Sequence, residues 1–224
     1  MSFVSDSGRA VETATTAHWV DANRRWEIQG RIISDAGFVF VPEQEGIALP
    51  VYYRHELSTA TGVINGDPVE GYFHEDFCYG PPGYTYMEHA LVRQLEGKWF
   101  SWIHEYADAE LGGGCCWQGR EDLNFRPGYM LNRGVTAAHK DAHITLEKNE
   151  NDQPRELRLE MGGEWFEFDL DMASGPTQFF GRLTASSAGK QVVKSWCWLE
   201  HTEGFVTPKV LSYLDNRHKL ARRH

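Results

Sequence analysis

Residues 61–80, "TGVINGDPVEGYFHEDFCYG", decide how the rest of the chain is read. Asn65-Gly66 is the pair favoured in tight two-residue turns, where both positions take positive φ. It separates two runs rich in Val, Ile, Tyr and Phe, so the stretch reads as a β-hairpin. The second arm carries His74, Glu75 and Asp76 among aromatic residues. Neighbours in a strand face opposite ways, which puts Tyr72, His74 and Asp76 on one face and Phe73, Glu75 and Phe77 on the other. His74 and Asp76 would then be two strand rises apart, ~7 Å at Cα. Side chains bridge that distance, and a carboxylate so placed can orient a histidine or raise its basicity. An ion pair on the rim of a sheet is the competing reading.

Working outward, β signals dominate. "RWEIQGRIIS" (25–34) and "GFVFV" (37–41) read as strands around a turn at Asp35-Ala36. A long strand is expected over 84–95, with a return strand over 99–107. Further strands are expected at 113–118, 129–132, 141–147, 156–161, 164–171, 178–185 and 191–201. Turns between them are marked by "RPG", "NENDQP", "GG", "SGP" and "SSAGK". Strands at this spacing suggest an all-β protein, an antiparallel meander closed into a barrel. Residues 1–17 are small and polar and read as a frayed tail. The barrel is expected over 18–206 and a short C-terminal helix over 207–224. Thr207 would be its N-cap, Pro208 its first residue, and Val210, Leu211 and Leu214 its apolar stripe.

Composition narrows the function classes. The chain has 224 residues, 41% hydrophobic and 13% aromatic, enough for a sizeable core in one large β domain. Eight Trp, nine Tyr and twelve Phe suit either a barrel core or a cavity for an apolar ligand. The net charge of −10 repels phosphate backbones, so no nucleic-acid partner is expected. No window reaches the ~18 apolar residues of a membrane span. "MSFVSDSGRAVETATTAHW" (1–19) lacks the apolar core of a signal peptide. Cys78, Cys115, Cys116 and Cys197 show no CxxC spacing, and a reduced, cytoplasmic protein is the simplest account. "HKDAH" (139–143) lies in or beside a strand, which separates its histidines, and no metal or cofactor is expected. "ELGGGCC" (110–116) opens no helix and is not a phosphate loop.

A hairpin at Glu96-Gly97 would set His89 across from His104 and Glu88 across from Glu105. One face would then carry His89, Phe100, Trp102, His104 and Tyr106, the lining of an aromatic pocket. A three-residue turn would instead put His89 opposite Glu105. In "SWCWLEH" (195–201), Trp196, Trp198 and Glu200 share a face. Two tryptophans with a carboxylate can cradle a carbocation or simply close a barrel seam.

With these residues in hand, 61–80 resembles the carotenoid 1,2-hydratase (hydroxyneurosporene synthase-like) superfamily. That family has a hairpin with a central Gly, then a second Gly opening a His/Asp-containing motif that ends in Trp-Gly. Gly71, His74, Asp76, Tyr79 and Gly80 fill those positions; Phe77 stands where a second histidine is expected, and Tyr79 replaces the tryptophan. "GKWFSWIHEYADAELGGG" (97–114) is similar to the family's return strand and turn. "FFGRLTASSAGKQVVKSWCWLEH" (179–201) is similar to its closing hairpin, which ends in an acidic residue, here Glu200. The resemblance spans roughly 58–203. It implies a lipocalin-like fold and cofactor-free chemistry on an apolar, isoprenoid- or polyketide-like molecule, by hydration or dehydration, isomerisation or cyclisation. Asp76 assisted by His74 would be the acid–base centre, with His89, His104 and Glu200 as further candidates. Tyr72, Tyr79, Tyr86, Trp102, Tyr106, Trp117, Trp196 and Trp198 would line the pocket. A non-catalytic carrier of a hydrophobic ligand would need the pocket without the titratable groups, and a homodimer stays open as a third arrangement.

Overall fold

The computed structural model describes residues 2–6, 8–42, 50–83, 96–119 and 124–202. Among these the chain forms only strands: β1 (Ser2–Ser5), β2 (Gly8–Glu12), β3 (Thr16–Asp21), β4 (Trp26–Ile32), β5 (Gly37–Val41), β6 (Val51–Ile64) and β7 (Asp67–Tyr79). They continue with β8 (Glu96–Tyr106), β9 (Leu111–Gly119), β10 (Gly128–Asn132), β11 (Val135–His139) and β12 (His143–Lys148). The last are β13 (Pro154–Met161), β14 (Glu164–Ser174), β15 (Gln178–Ser186) and β16 (Val192–His201).

Two antiparallel sheets curl into half-barrels. The first holds β1–β2–β3–β4–β6–β5 in that order, with β7 on the other side of β6. The Asn65-Gly66 turn forms as its composition dictates, with φ of 53° and 93°. It pins β6 to β7 from Ile64 opposite Asp67 through to Tyr52 opposite Tyr79. The second sheet runs β11–β10–β9–β8–β16–β15–β14–β13–β12, so that β16 returns to pair with β8. There Trp198 lies opposite Ser101 and Glu200 opposite Trp99.

Two expectations meet a different outcome. Ser2–Ser5 and Gly8–Glu12 are not a frayed tail but β1 and β2, because Gly8–Glu12 ladders onto β3 and Ser2–Ser5 ladders onto β2. Backbone pairing there needs no large apolar side chains. Glu96 and Gly97 open β8, with a bulge against β9, instead of forming a turn. The segment expected to pair across that turn, 84–95, lies outside the described residues, as does the expected helix 207–224.

The two concave faces are filled differently. In the second half-barrel Phe100, Trp102, Leu159, Met161, Phe168 and Leu199 join a continuous buried core. Burying each such side chain contributes about 1.5–3 kcal/mol. Gly112 and Gly114 of the glycine run make room for it: a Cβ would meet the His104 ring at 2.6 Å on the first and the Trp102 ring at 2.6 Å on the second. The first half-barrel places Gly8 and Ala10 of β2, Ala17 of β3, Gly30 of β4 and Ser58 and Ala60 of β6 on its concave side. Such small side chains leave space that the second half-barrel lacks. The half-barrels meet through Val39, Val51 and Tyr53 on one side and Trp99, Trp117 and Tyr129 on the other.

A candidate acid–base cleft between the half-barrels

β7 has the two faces that strand alternation dictates. Tyr72, His74 and Asp76 face the second half-barrel, while Phe73, Glu75 and Phe77 face the concave side of the first. Because Leu57 pairs with His74 and His55 with Asp76, β6 adds Tyr53 and His55 to the first face. From the opposing sheet, β8 contributes Trp99 and Ser101, and β16 contributes Trp196, Trp198 and Glu200.

At the centre, His55 and His74 stack with ring centroids 5.0 Å apart. His55 is wholly buried, with Nδ1 2.5 Å from Tyr129 Oη and Nε2 3.2 Å from Ser101 Oγ. Burial, then the neighbouring His74, depresses its pKa well below the ordinary imidazole value, so His55 stays neutral. The His74 ring lies 5.1 Å from both Trp99 and Trp198. Burial depresses its pKa too, against the opposing pull of the Asp76 charge. Its Nδ1 has no hydrogen-bond partner among the described residues.

Asp76 is exposed, and its Oδ2 accepts a 2.7 Å hydrogen bond from Tyr53 Oη, which in turn accepts from Trp99 Nε1 at 3.1 Å. Asp76 is therefore oriented by a tyrosine, and it acts on His74 through its charge. Glu200 approaches from the other sheet, with Oε1 accepting from Gln178 Nε2 at 3.2 Å. Burial raises its pKa; the Gln178 hydrogen bond opposes this, and the Asp76 charge reinforces it. The two carboxylates line a cleft of about 260 Å³ with Tyr53, Cys78, Trp99 and Trp198. Glu200, half-buried and with its pKa raised, thus faces the exposed, hydrogen-bonded side chain of Asp76 across aromatic walls.

The remaining sequence candidates are distributed elsewhere. Trp102, His104 and Tyr106 do share a face of β8, but it turns into the second core and lines no cleft. Trp102 is wholly buried there, His104 lies 4.6 Å from the Tyr106 ring, and Tyr106 bonds Ser186. Strand parity decides this: Trp99 and Ser101 occupy the cleft face, so the even-numbered residues face away. Trp117 packs on Tyr53 beneath the cleft. Tyr72 hydrogen-bonds Glu105 at 3.3 Å. Tyr79 sits on the opposite face of β7, exposed and stacked with Phe77. Tyr86 and His89 lie outside the described residues. Sequence reasoning missed Tyr53, His55 and Trp99, for which the only signal was the His55-Glu56 pair in a β-rich run.

Glu12, Glu56 and Glu75, on the other side of β7, are the one group among the described residues whose carboxylates come within 4.8 Å of one another, a spacing a metal ion could use. The Arg54 guanidinium already lies 2.5 Å from Glu12 and 2.6 Å from Glu56, supplying the positive charge a cation would bring. None of the four cysteines is in a disulfide. Among the described residues no helix is long and apolar enough to cross a membrane.

No family model matches the sequence. No curated protein matches it. Solved structures do: an AttH-type protein of Nitrosomonas europaea is similar at a TM-score of 0.52 and 13% identity, over 89% of this chain and 70% of that one. Kievitone hydratase from Nectria haematococca aligns at a TM-score of 0.40 and 6% identity, over 88% of this chain and 83% of that one. The first likeness, with the two curled antiparallel sheets, shows the fold to be lipocalin-like.

Proposed function

We propose that the protein is an enzyme acting on a small hydrophobic, alkene-bearing molecule by acid–base chemistry in the cleft between its half-barrels. The observation that carries this reading is the convergence of Asp76 and Glu200, from different sheets, on a cleft walled by Trp99 and Trp198. Glu200, which burial and Asp76 incline toward its protonated form, gives its proton to an alkene carbon. The resulting carbocation lies against the indole faces, whose negative quadrupole favours it. Water oriented by Asp76 then adds to the cation and yields a proton to that carboxylate. Solvent at the exposed Asp76 returns the proton to Glu200, so the sum is addition of one water. Loss of a different proton gives isomerisation, and capture by an internal double bond gives cyclisation. At about 260 Å³ the cleft is below the usual range for a whole drug-sized ligand, so the reacting end enters it and the rest extends outward.

The test is a panel of isoprenoid and polyketide alkenes incubated with protein in ¹⁸O-labelled water and followed by mass spectrometry. One panel member should gain labelled oxygen or isomerise. Asp76→Asn should lower that rate by about 10²–10⁴-fold while leaving affinity for the molecule within a factor of about two. Saturable binding with no conversion of any panel member would instead identify a carrier.

A further inference from the structure

The concave side of the first half-barrel encloses about 770 Å³, within the range of small-molecule sites. Trp26, Phe77, Ala10 and Val4 give it largely apolar walls, and Glu12 and Glu75 stand at its polar end. Glu75 is only 2% exposed, and its Oε1 accepts from Trp19 Nε1 at 2.6 Å. Its Oε2 is buried and has no hydrogen-bond partner among the described residues. A buried carboxylate oxygen left unpaired is destabilising, so a donor is called for at that point. The surroundings specify what kind. Around Glu75 stand two further carboxylates, Glu12 of β2 and Glu56 of β6, against one guanidinium, Arg54, already bonded to both. Among the described residues the acids around Glu75 outnumber the cations, and Arg9, the other cation on the lining, is solvent-exposed.

We propose that this cavity binds an apolar amine, whose ammonium group donates to Glu75 Oε2 while its hydrocarbon body lies on Trp26 and Phe77. A carboxylate ligand would meet three acids, and a neutral alcohol would supply the hydrogen bond without the charge. The Trp19 ring beside Glu75 adds a cation–π surface. Burial holds the Glu75 carboxyl up at about 7, so the ionised form that an ammonium needs is filled as pH rises through neutrality. This site lies across β7 from the acid–base cleft and does not depend on it.

Calorimetry of the full chain with n-hexylamine, 1-hexanol and hexanoate, on either side of pH 7, tests the proposal. Hexylammonium should bind about tenfold more tightly than hexanol above neutrality, because a charged hydrogen bond is stronger than a neutral one. Hexanoate should not bind, and the amine's advantage should shrink below neutrality. Glu75→Gln should erase the advantage and leave hexanol binding in place. Ala10→Trp, opposite Trp19 across β2 and β3, should fill the cavity and abolish both. Asp76→Asn and Glu200→Gln should leave the amine and alcohol affinities unchanged, which separates this site from the cleft. Equal binding of amine and alcohol by the native protein would overturn the proposal without recourse to any variant. So would a preference that survives Glu75→Gln, or binding that survives Ala10→Trp.

Discussion

The two half-barrels are built from the same element, an antiparallel strand pair repeated, yet they enclose opposite things. The second fills its concave side with Phe100, Trp102, Leu159 and Phe168. The first mixes glycine, alanine and serine with Trp19, Trp26 and Phe77 on its own, sets four charged side chains among them, and keeps about 770 Å³ open. Curl alone does not decide whether a barrel has a pocket; the side-chain volumes on its inner face do. One half carries the stability, and the other gives up packing for space.

The largest expected effect sets truncation in one half against truncation in the other. Phe168→Ala removes a ring packed on Phe100 at 4.8 Å and should cost about 3–5 kcal/mol in urea denaturation. Trp26→Ala, at the cavity wall, should cost less than about 1.5 kcal/mol, since the ring borders space that is already open. Equal losses would break the contrast.

Next comes pH, where the halves should respond with opposite sign. Burial lowers His104 from 6.5 to about 4. The unfolded chain therefore takes up this proton first, and the contribution is complete above 6.5 and lost as pH falls toward 4. It amounts to about 3 kcal/mol. Burial raises Glu75 from 4.5 to about 7. Its contribution is complete below 4.5 and is lost as pH rises through 7. Water at the open end of the cavity reduces it to about 1–2 kcal/mol. Chemical denaturation across pH should show the acid-side loss shrinking in His104→Leu and the alkaline-side loss shrinking in Glu75→Gln. Both variants moving the same limb would refute the assignment.

The smallest effect concerns single methyl groups. At Gly114 a Cβ would meet Tyr129 O at 2.3 Å and the Trp102 ring at 2.6 Å, so Gly114→Ala should destabilise by about 1–3 kcal/mol. At Gly71 a Cβ meets nothing within 4 Å. Gly71→Ala should therefore stabilise by about 0.4–1 kcal/mol through the unfolded chain. Thermal melts of the two variants moving in opposite directions would sharpen the comparison.

These contrasts also show what could be read from the sequence. The Asn65-Gly66 turn and the split faces of β7 were legible because both follow from local geometry, a turn type and a period of two. So was the shared face of Trp196, Trp198 and Glu200. The meeting of Asp76 with Glu200 was not, because it depends on β16 returning to β8 and on the two sheets facing each other. The cavity was not legible either: the small residues of that concave side are scattered over β2, β3, β4 and β6, and only sheet order gathers them. His104 was misplaced for want of one fact, which face of β8 turns toward the other sheet. The even-numbered face is the more aromatic, with Phe100, Trp102 and Tyr106 against Trp99, and such a face suits a buried core as well as a pocket.

The two-residue turn at Asn65-Gly66 has a consequence for how this sequence can change over time. It sets the phase of β7, and β7 is the partition between two chambers, one facing Asp76 and the other Glu75. Inserting or deleting a single residue in that turn would rotate the whole partition, sending the histidine and aspartate into the amine cavity and the glutamate into the cleft. Length changes here should therefore come in twos or not at all, so a short loop on the surface becomes one of the least negotiable points in the chain.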